Sequence, residues 1–299
     1  MGAMVLAFMI TLIAVNIKKV KESEISVLLR IMTNYLQVMT ATMSYSMKFP
    51  SRLTNMFTPI ERLGSSSGSL VSFDCFNRNT ELKFFTPSFP FLKAFLTAIL
   101  PLILIMGAII IFSILYKLLP NKFKDFNKNI IISSITLIFF LHPTLTYTAF
   151  EMFQCIGVTK DNISKVKIDT NIDCYSMEHL KWLLCISVPM IIVWVLGSPS
   201  LVIYIIYRNR KRLEDPDFQK YFILLYQGLK NDKFYWEIIN TLIKVLVVTI
   251  NILMSMFPSV YKGATAILIL IFISRVQMRL RPYKRSVNNE IELLAYTCK

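Results

Sequence analysis

Charged residues are scarce in this chain. Asp, Glu, Lys and Arg make up 17% of its 299 residues, against about 25% in a typical soluble domain. Hydrophobic residues account for 55% instead. Apolar runs long enough to cross about 30 Å of hydrocarbon recur along the sequence. The short segments of alternating polarity that would indicate a transmembrane β-barrel are lacking. We therefore predict an all-α fold, a polytopic transmembrane helical bundle.

Motifs of the common enzyme classes are missing too. The sequence has no HExxH zinc-protease motif, no GxSxG nucleophile elbow, no Walker A loop and no GxGxxG dinucleotide fingerprint. Few carboxylates are paired in a way that would let them face a membrane cavity. We therefore expect no enzymatic activity and no cofactor.

Acidic residues are outnumbered, because 18 Asp and Glu stand against 33 Lys and Arg, for a formal net charge of +15. Such an excess can indicate nucleic-acid binding. Here the basic residues lie in short segments between apolar runs, as in the cytoplasmic loops of membrane proteins. We therefore expect the lipid bilayer and other membrane or extracellular protein subunits as partners, and no nucleic acid.

The apolar runs predict a single transmembrane domain over residues 1–299, with about seven spans and the start of an eighth helix. The approximate spans are 2–17, 25–47, 91–116, 130–150, 181–207, 236–256 and 263–279. The first run has its positive charges behind it, unlike a signal peptide, so we place the N-terminus outside. The second run contains Arg30 and many polar residues, so an interfacial helix is the alternative for it.

Orientation follows from the distribution of basic residues. Lys and Arg are about three times as dense in the segments placed inside as in those placed outside, and this pattern requires the second run to cross. The inside segments include the linker 208–235. The predicted cytoplasmic anchor consists of Arg208, Arg210, Lys211, Arg212, Arg279 and Arg281.

The two longest segments placed outside are 48–90 and 151–180. Cys155 and Cys174 bracket an 18-residue loop, and closing a loop of that size by a disulfide stabilises a fold by about 3 kcal/mol. That pairing is favoured, and pairing of either residue with Cys75 is the rival.

The second of these segments also holds a glycosylation sequon at Asn162. Together with the cysteines it favours the plasma or ciliary membrane. An internal or mitochondrial membrane is the alternative.

The span 236–256 carries a polar face, because its polar residues recur at spacings of three, four and seven. They are Glu237, Asn240, Thr241, Lys244 and Asn251. One interpretation is a conduction or substrate path, or a gating ion pair. The other is hydrogen bonding between helices, with Lys244 bridged to a carboxylate of a neighbouring helix.

His142 lies beside Pro143 in the span 130–150. It is a candidate gating or ion-contact residue, and the alternative is a structural hydrogen bond. A lone His without a second His or carboxylate at ligand spacing predicts no metal site.

Six short motifs occur in order along most of the chain. They are NYLQ at 34–37, FDC at 73–75, FQC at 153–155, DCYSMEH at 173–179, LLYQGLKNDKFYWE at 224–237 and LRPYKRSVNNEIELL at 280–294. With them the chain resembles the C-terminal membrane domain of large protist surface proteins, which are abundant in ciliates. That domain is similar to transient-receptor-potential (TRP) channels, in particular the fungal TRP-like family.

The resemblance implies a TRP-like cation-channel subunit or channel-like domain. The first alternative is a non-conducting membrane anchor or assembly subunit of a larger surface or ciliary complex. The second is a small-solute or lipid transporter. A hydrated path along Lys244 or Asn251 would favour the channel, whereas a dry core with its polar groups paired would favour the anchor.

Overall fold

The computed structural model describes residues 24–43, 89–118, 126–157, 164–254 and 257–297, and it is mostly helical. The helices are α1 (Glu24–Met43), α2 (Phe89–Leu118), α3 (Phe126–Glu151), α4 (Met177–Arg208), α5 (Pro216–Tyr226), α6 (Trp236–Leu253), α7 (Ser259–Leu280) and α8 (Ser286–Thr297). The strands are β1 (Cys155–Gly157), β2 (Ser164–Val166) and β3 (Asp169–Asp173).

Five of these helices, α2, α3, α4, α6 and α7, are long and apolar enough to cross a membrane. The protein is accordingly a membrane protein with a helical bundle. Helices α3 and α6 are largely buried and pack against each other, while α2 is exposed on most of its surface. A helix that is apolar on all sides suits contact with lipid, so α2 forms part of the outer layer around α3 and α6.

The structure supports five membrane-length apolar helices where the sequence predicts about seven spans. The predicted span 2–17 lies outside the described residues. The described part of the run 25–47 lies in helix α1, which packs against α6 and α8. Its buried Arg30, Asn34 and Gln37 make it too polar to count among the five. Its crossing of the membrane stays a prediction.

Successive long helices run in opposite directions and give the bundle two ends. The basic end holds the end of α2, the start of α3, the linker 208–235 and the segment 281–285. The disulfide end holds the strands and the connection from α6 to α7. At that end Gln154 donates a hydrogen bond to the carbonyl of Ile252 at 3.4 Å.

The segment 151–180, which the sequence predicts to be a loop outside the helical bundle, has regular structure of its own. It contains an antiparallel sheet in the order β1-β2-β3, in which Cys155 pairs with Val166. Val166 and Ile172 are buried among the core residues, while Lys165 and Asp173 form an ion pair at 2.5 Å across the two strands. The sheet was missed because its strands are only three to five residues long.

The favoured disulfide between Cys155 and Cys174 is present, with 6.2 Å between the two Cα atoms. It ties β1 to the residue that follows β3 and so closes the sheet over the end of the bundle. Cys75 and Asn162 lie outside the described residues.

Two segments at the basic end are more ordered than the sequence predicts. The linker 208–235 contains α5, and the predicted eighth helix begins at Ser286 and extends to Thr297. Both helices are amphipathic and pack against the bundle, α5 on α3 and α8 on α1 and α7.

Helix α4 includes two π-helical segments, Leu183–Ser187 and Ile191–Gly197. Each lies just before a proline, Pro189 or Pro199. Proline has no N–H to donate and its ring displaces the carbonyl four residues earlier, so the wider π-turns accommodate it. The carbonyl of Val195, four residues before Pro199, is therefore available to another donor.

The disulfide leads to the first testable prediction. Cys155→Ser should lower the free energy of unfolding by about 3 kcal/mol, because it reopens the 18-residue loop. Denaturant unfolding of the detergent-solubilised protein measures this loss. Cys185→Ser is the matched control, since Cys185 is exposed and unpaired. Equal stability of the two variants would contradict the prediction.

Candidate functional site

Three of the sequence motifs meet at one place near the basic end. NYLQ lies on α1, LLYQGLKNDKFYWE runs from α5 into α6, and LRPYKRSVNNEIELL connects α7 to α8. Their contacts form a buried group that we call the polar cluster. Its members are Arg30, Asn34, Trp236, Glu237, Asn240, Tyr283, Glu292 and Tyr296.

Glu237 lies at the first turn of α6 and is held by α1. Nε of Arg30 lies 3.3 Å from Oε2 of Glu237, and Asn34 donates to Oε1 at 3.0 Å. Arg30 also donates from Nη2 to the carbonyl of Gln227. Both partners of the ion pair are buried. Each charge therefore depends on the other, because an unpaired charge in this position is strongly destabilising.

Glu292 on α8 accepts three hydrogen bonds. Trp236 donates to Oε2 at 2.9 Å, while Asn240 and Tyr283 donate to Oε1 at 3.0 Å each. Tyr296 donates in turn to Oδ1 of Asn240 at 2.5 Å. Trp236 and Asn240 share one face of α6 four residues apart, and so do Glu292 and Tyr296 on α8. The four side chains therefore interlock the two helices.

Burial governs the protonation of this second carboxylate. It raises the pKa of Glu292 to about 7, and the nearby charge of Glu237 raises it further, while the hydrogen bonds from Asn240, Trp236 and Tyr283 oppose the shift. Burial also raises the pKa of Tyr283 and Tyr296 well above the ordinary value. Both phenols therefore stay protonated as donors, and Glu292 is the group of the three that titrates near neutral pH.

Main-chain hydrogen bonds join the linker to the segment after α7. Leu229 and Tyr283 form an antiparallel bridge, Lys230 N–H donates to the carbonyl of Pro282 at 2.8 Å, and Lys284 N–H donates to that of Gly228 at 2.9 Å. Gly228 has φ +77°, and a Cβ there would approach Cγ2 of Val27 to 2.7 Å. A side chain at this position would therefore separate the linker from α1.

The predicted polar face of α6 is buried along its whole length. Glu237 and Asn240 contact side chains of α1 and α8, as described above, and Thr241 donates to the carbonyl of Glu237 at 3.0 Å. The ammonium of Lys244 lies 4.2 Å from the ring centroid of Phe139 on α3, a cation–π contact. Asn251 is buried near the disulfide end. The polar face of α6 thus contacts side chains of α1, α3 and α8.

A small cavity lies beside the ion pair. It measures about 60 Å³ and is lined by residues of α1, α3, α5 and α6, including Arg30 and Glu237. A space of this size holds a few water molecules. The larger part of its wall is apolar, with Phe139 and Phe140 of α3 among the lining residues.

His142 lies 53 residues before Val195 along the chain, but the two residues are in contact. Its Nε2 is 3.3 Å from the carbonyl oxygen of Val195, the same carbonyl that Pro199 cannot use. The side chain is buried. The geometry therefore supports a structural hydrogen bond between His142 and the second π-helical segment of α4.

His179 serves a comparable purpose at the disulfide end and was not singled out from the sequence. It is fully buried. Its Nδ1 accepts the N–H of Tyr175 at 3.0 Å, and its Nε2 lies 2.9 Å from the carbonyl oxygen of Met152. It therefore connects the segment after β3 to the end of α3.

The predicted anchor residues Arg208, Arg210, Lys211, Arg212, Arg279 and Arg281 are all exposed. Arg208 donates to the hydroxyl of Tyr204 at 2.7 Å, and the guanidinium of Arg210 lies 4.9 Å from the ring centroid of Tyr207. These contacts hold the basic side chains beside aromatic rings at the end of α4, an arrangement typical of the membrane–water boundary.

The described residues contain no group of three or more His, Cys, Asp and Glu side chains that could hold a metal ion. In the polar cluster the carboxylate oxygens instead accept hydrogen bonds or pair with Arg30. Chemically, the cluster is suited to holding helices together and to responding to protonation of Glu292.

Sequence reasoning singled out only three of the eight members of this cluster. Glu237 and Asn240 stood out because they interrupt an apolar run, and Arg30 was noted only as a charge near the end of a span. Glu292 and Tyr296 were missed. Their spacing of four on one face of a short amphipathic helix was the available signal, but it does not reveal a partner on α6.

A multi-helix membrane protein with a buried polar cluster is thus the class that the fold defines. No family model and no solved structure matches the chain. It is similar to the curated protein "Cysteine repeat modular protein A" of Toxoplasma gondii, with 21% identity over 314 residues. The match covers 83% of this chain and 10% of that relative, so the chain spans a small part of the relative's length. The TRP-like resemblance stays a prediction.

The buried ion pair generates a second prediction. Arg30→Met or Glu237→Gln alone should lower the free energy of unfolding by about 3–5 kcal/mol, because each leaves a buried partner uncompensated. The double variant should lose less than the sum of the two. A double-mutant cycle in detergent measures this coupling.

The control for that cycle is the exposed ion pair between Glu24 and Arg285, which joins α1 to the segment before α8. Removing either of its charges should change stability by less than about 1 kcal/mol. Additive losses at Arg30 and Glu237, or equal losses at both pairs, would show that the buried pair is not coupled.

Glu292 generates a third prediction, on pH. Because its folded pKa of about 7 exceeds the ordinary value of 4.5 for a glutamate, the folded protein retains a proton that the unfolded chain releases. The contribution of Glu292 to stability is therefore full below pH 4.5, falls between about pH 4.5 and 7, and is absent above that range. The fall should be on the order of 3 kcal/mol.

Thermal unfolding between pH 5 and 8 measures this effect. Glu292→Gln should flatten the profile, and Glu290→Gln, an exposed acid on the same helix, should not. The other titratable or charged groups around Glu292 are Glu237, Arg30, Tyr283 and Tyr296. A wild-type slope that persists in Glu292→Gln would contradict the assignment of this effect to Glu292.

Proposed function

We propose that this chain is a non-conducting membrane module that anchors a larger surface protein. Its buried polar contacts hold the helices of the anchor together. The observation that carries the proposal is the pairing of the polar face of α6 inside the protein. Glu237 binds Arg30 and Asn34 of α1, and Asn240 binds Glu292 of α8.

A conducting path requires polar groups that face water along the whole membrane. In this bundle the carboxylate oxygens of Glu237 and Glu292 are engaged by neighbouring side chains. Lys244 lies against an aromatic ring. The cavity next to Glu237 measures only about 60 Å³. These contacts support an anchor over a pore along α6.

The connection between α6 and α7 supports the same proposal. Only residues 254–258 separate the two helices. Five residues reach at most about 18 Å when fully extended, so they cannot enter the membrane, form a filter and return. The shortness of this connection therefore supports an anchor over a channel with its pore loop between these two helices.

The size of the similar protein suggests what is anchored. The match occupies 10% of a relative whose name describes cysteine repeats, so we propose that this module belongs with a much larger extracellular portion. We place the disulfide end outside, since disulfides persist in oxidising compartments, and the basic end in the cytoplasm. The plasma or ciliary membrane fits this orientation, and Asn162 would then be available for glycosylation.

A TRP-like channel subunit is the second candidate, and one observation favours it. The main-chain bridge between Leu229 and Tyr283 joins the linker before α6 to the segment after α7. Movement of either segment would pull on the other. Such a joint would suit gating of a pore formed outside the described residues. A transporter has no comparable observation in its favour among the residues described.

Flux through reconstituted vesicles supplies the fourth prediction. Liposomes loaded with a potassium-sensitive dye and containing the purified chain should lose potassium no faster than protein-free liposomes, because the polar face of α6 is paired within the protein. An added potassium ionophore verifies that the dye responds.

The variants Lys244→Ala and Asn251→Ala distinguish the two candidates. If the chain is an anchor, both should leave the flux at the protein-free level. A potassium flux in the wild type that either variant abolishes would overturn the anchor proposal and support a channel along α6. A flux that neither variant changes would place a pore elsewhere in the chain.

A further inference from the structure

Two adjoining clefts open at the basic end, where α2 ends, α3 begins and α5 lies across them. The first measures about 450 Å³ and the second about 390 Å³. Both are lined by Asn127 of α3 and Tyr221 of α5. Because they share these residues, they form one groove, which we call the basic-end groove. Its size is in the usual range for a small-molecule site.

The first half of the groove carries positive charge on a wall of mixed polarity, which Tyr116 and Phe126 also line. It is lined by Ser113, Lys117 and Lys128 in addition to the two shared residues, and none of the described residues in its lining is a carboxylate. Lys128 is only 5% exposed, so its charge is held within the protein at the groove wall. Ammonium, hydroxyl and amide groups all donate hydrogen bonds to anionic oxygens. The start of α3 adds the positive end of a helix dipole.

The second half is apolar. It is lined by Ile130 and Ile131 of α3 and Phe222 of α5, all partly exposed. Phe222 stacks on Phe218 at 4.9 Å between ring centroids, so the wall contributed by α5 is aromatic and stiff. None of the described residues that line this half is charged, and it suits hydrocarbon.

The two halves follow one another along α3, and the apolar half lies deeper in the membrane than the positive half. Ile130 lies three residues beyond Asn127, which is about 4.5 Å deeper along the helix. Since α3 is one of the membrane-length helices, the groove changes from positive to apolar in the same direction as the bilayer changes from headgroup to hydrocarbon. A soluble anion would use only the first half.

From this arrangement we infer that the basic-end groove binds a membrane phospholipid, with its phosphate between Lys117 and Lys128 and an acyl chain against Ile131 and Phe222. The charge of the wall selects a headgroup with net negative charge over a zwitterionic one. This site is independent of whether the bundle conducts, so the outcome of the potassium flux does not affect it.

The test measures binding to the purified full chain in a neutral detergent. The probes are dioctanoyl phosphatidic acid, dioctanoyl phosphatidylcholine, dioctanoylglycerol and inorganic phosphate. We expect phosphatidic acid to bind at least roughly tenfold more tightly than each of the others, because it alone fits both halves of the groove with net negative charge. Isothermal titration calorimetry gives the four dissociation constants.

Variants assign the binding to the groove. Lys117→Gln should weaken phosphatidic acid binding roughly tenfold, and since Lys117 is exposed the variant should fold normally. Phe222→Ala should weaken phosphatidic acid but leave inorganic phosphate unchanged. Lys211→Gln is the matched control, because it removes one exposed positive charge at the same end outside the groove. It should change binding less than twofold.

Three outcomes would overturn the inference. Equal binding of inorganic phosphate and phosphatidic acid would make the site one for a soluble anion. Equal binding of dioctanoylglycerol would show that the lysines play no part. An equal loss in Lys117→Gln and Lys211→Gln would assign the effect to the general charge of the surface.

Discussion

The buried ion pair between Arg30 and Glu237 is the constraint on which the rest of the basic end depends. Taking two charges out of water costs several kcal/mol each, and the cost is recovered only when each charge has its partner and further hydrogen bonds. Here Asn34 donates a further hydrogen bond to the carboxylate of Glu237, and the carbonyl of Gln227 accepts one from the guanidinium of Arg30. Helix α1, the end of α5 and the start of α6 must therefore be assembled together, since moving any one of them uncovers a buried charge.

The second carboxylate extends this constraint to the C-terminal side of the described chain. Glu292 gathers donors from α6 and from the segment before α8, and the bridge at Leu229 brings the linker against the same segment. The basic end is thereby a single polar and main-chain network. The disulfide end is held differently, by a covalent link and by the buried His179. The two ends of one bundle thus rely on different chemistry.

The parts of the fold that were predictable are those with a local signal. The apolar run of α2 and the loop bracketed by Cys155 and Cys174 could be identified because composition and spacing alone define them. The strands were missed because three residues are too few to show alternation. Glu292 was missed because its donor Trp236 lies 56 residues away. Contacts at such separations depend on how helices pack, which no periodicity within one helix determines.

The distance along the chain between the partners of the ion-pair site has a consequence for synthesis. Asn34 precedes Glu237 by 203 residues, and at about 5–20 residues per second the ribosome needs roughly 10–40 s to make that stretch. During this time α1 carries an arginine and an asparagine without their final acceptor. It must wait at the membrane surface or beside an insertion factor until α6 emerges. The polar residues that hold the finished bundle together therefore delay the packing of its first described helix until α6 has been made.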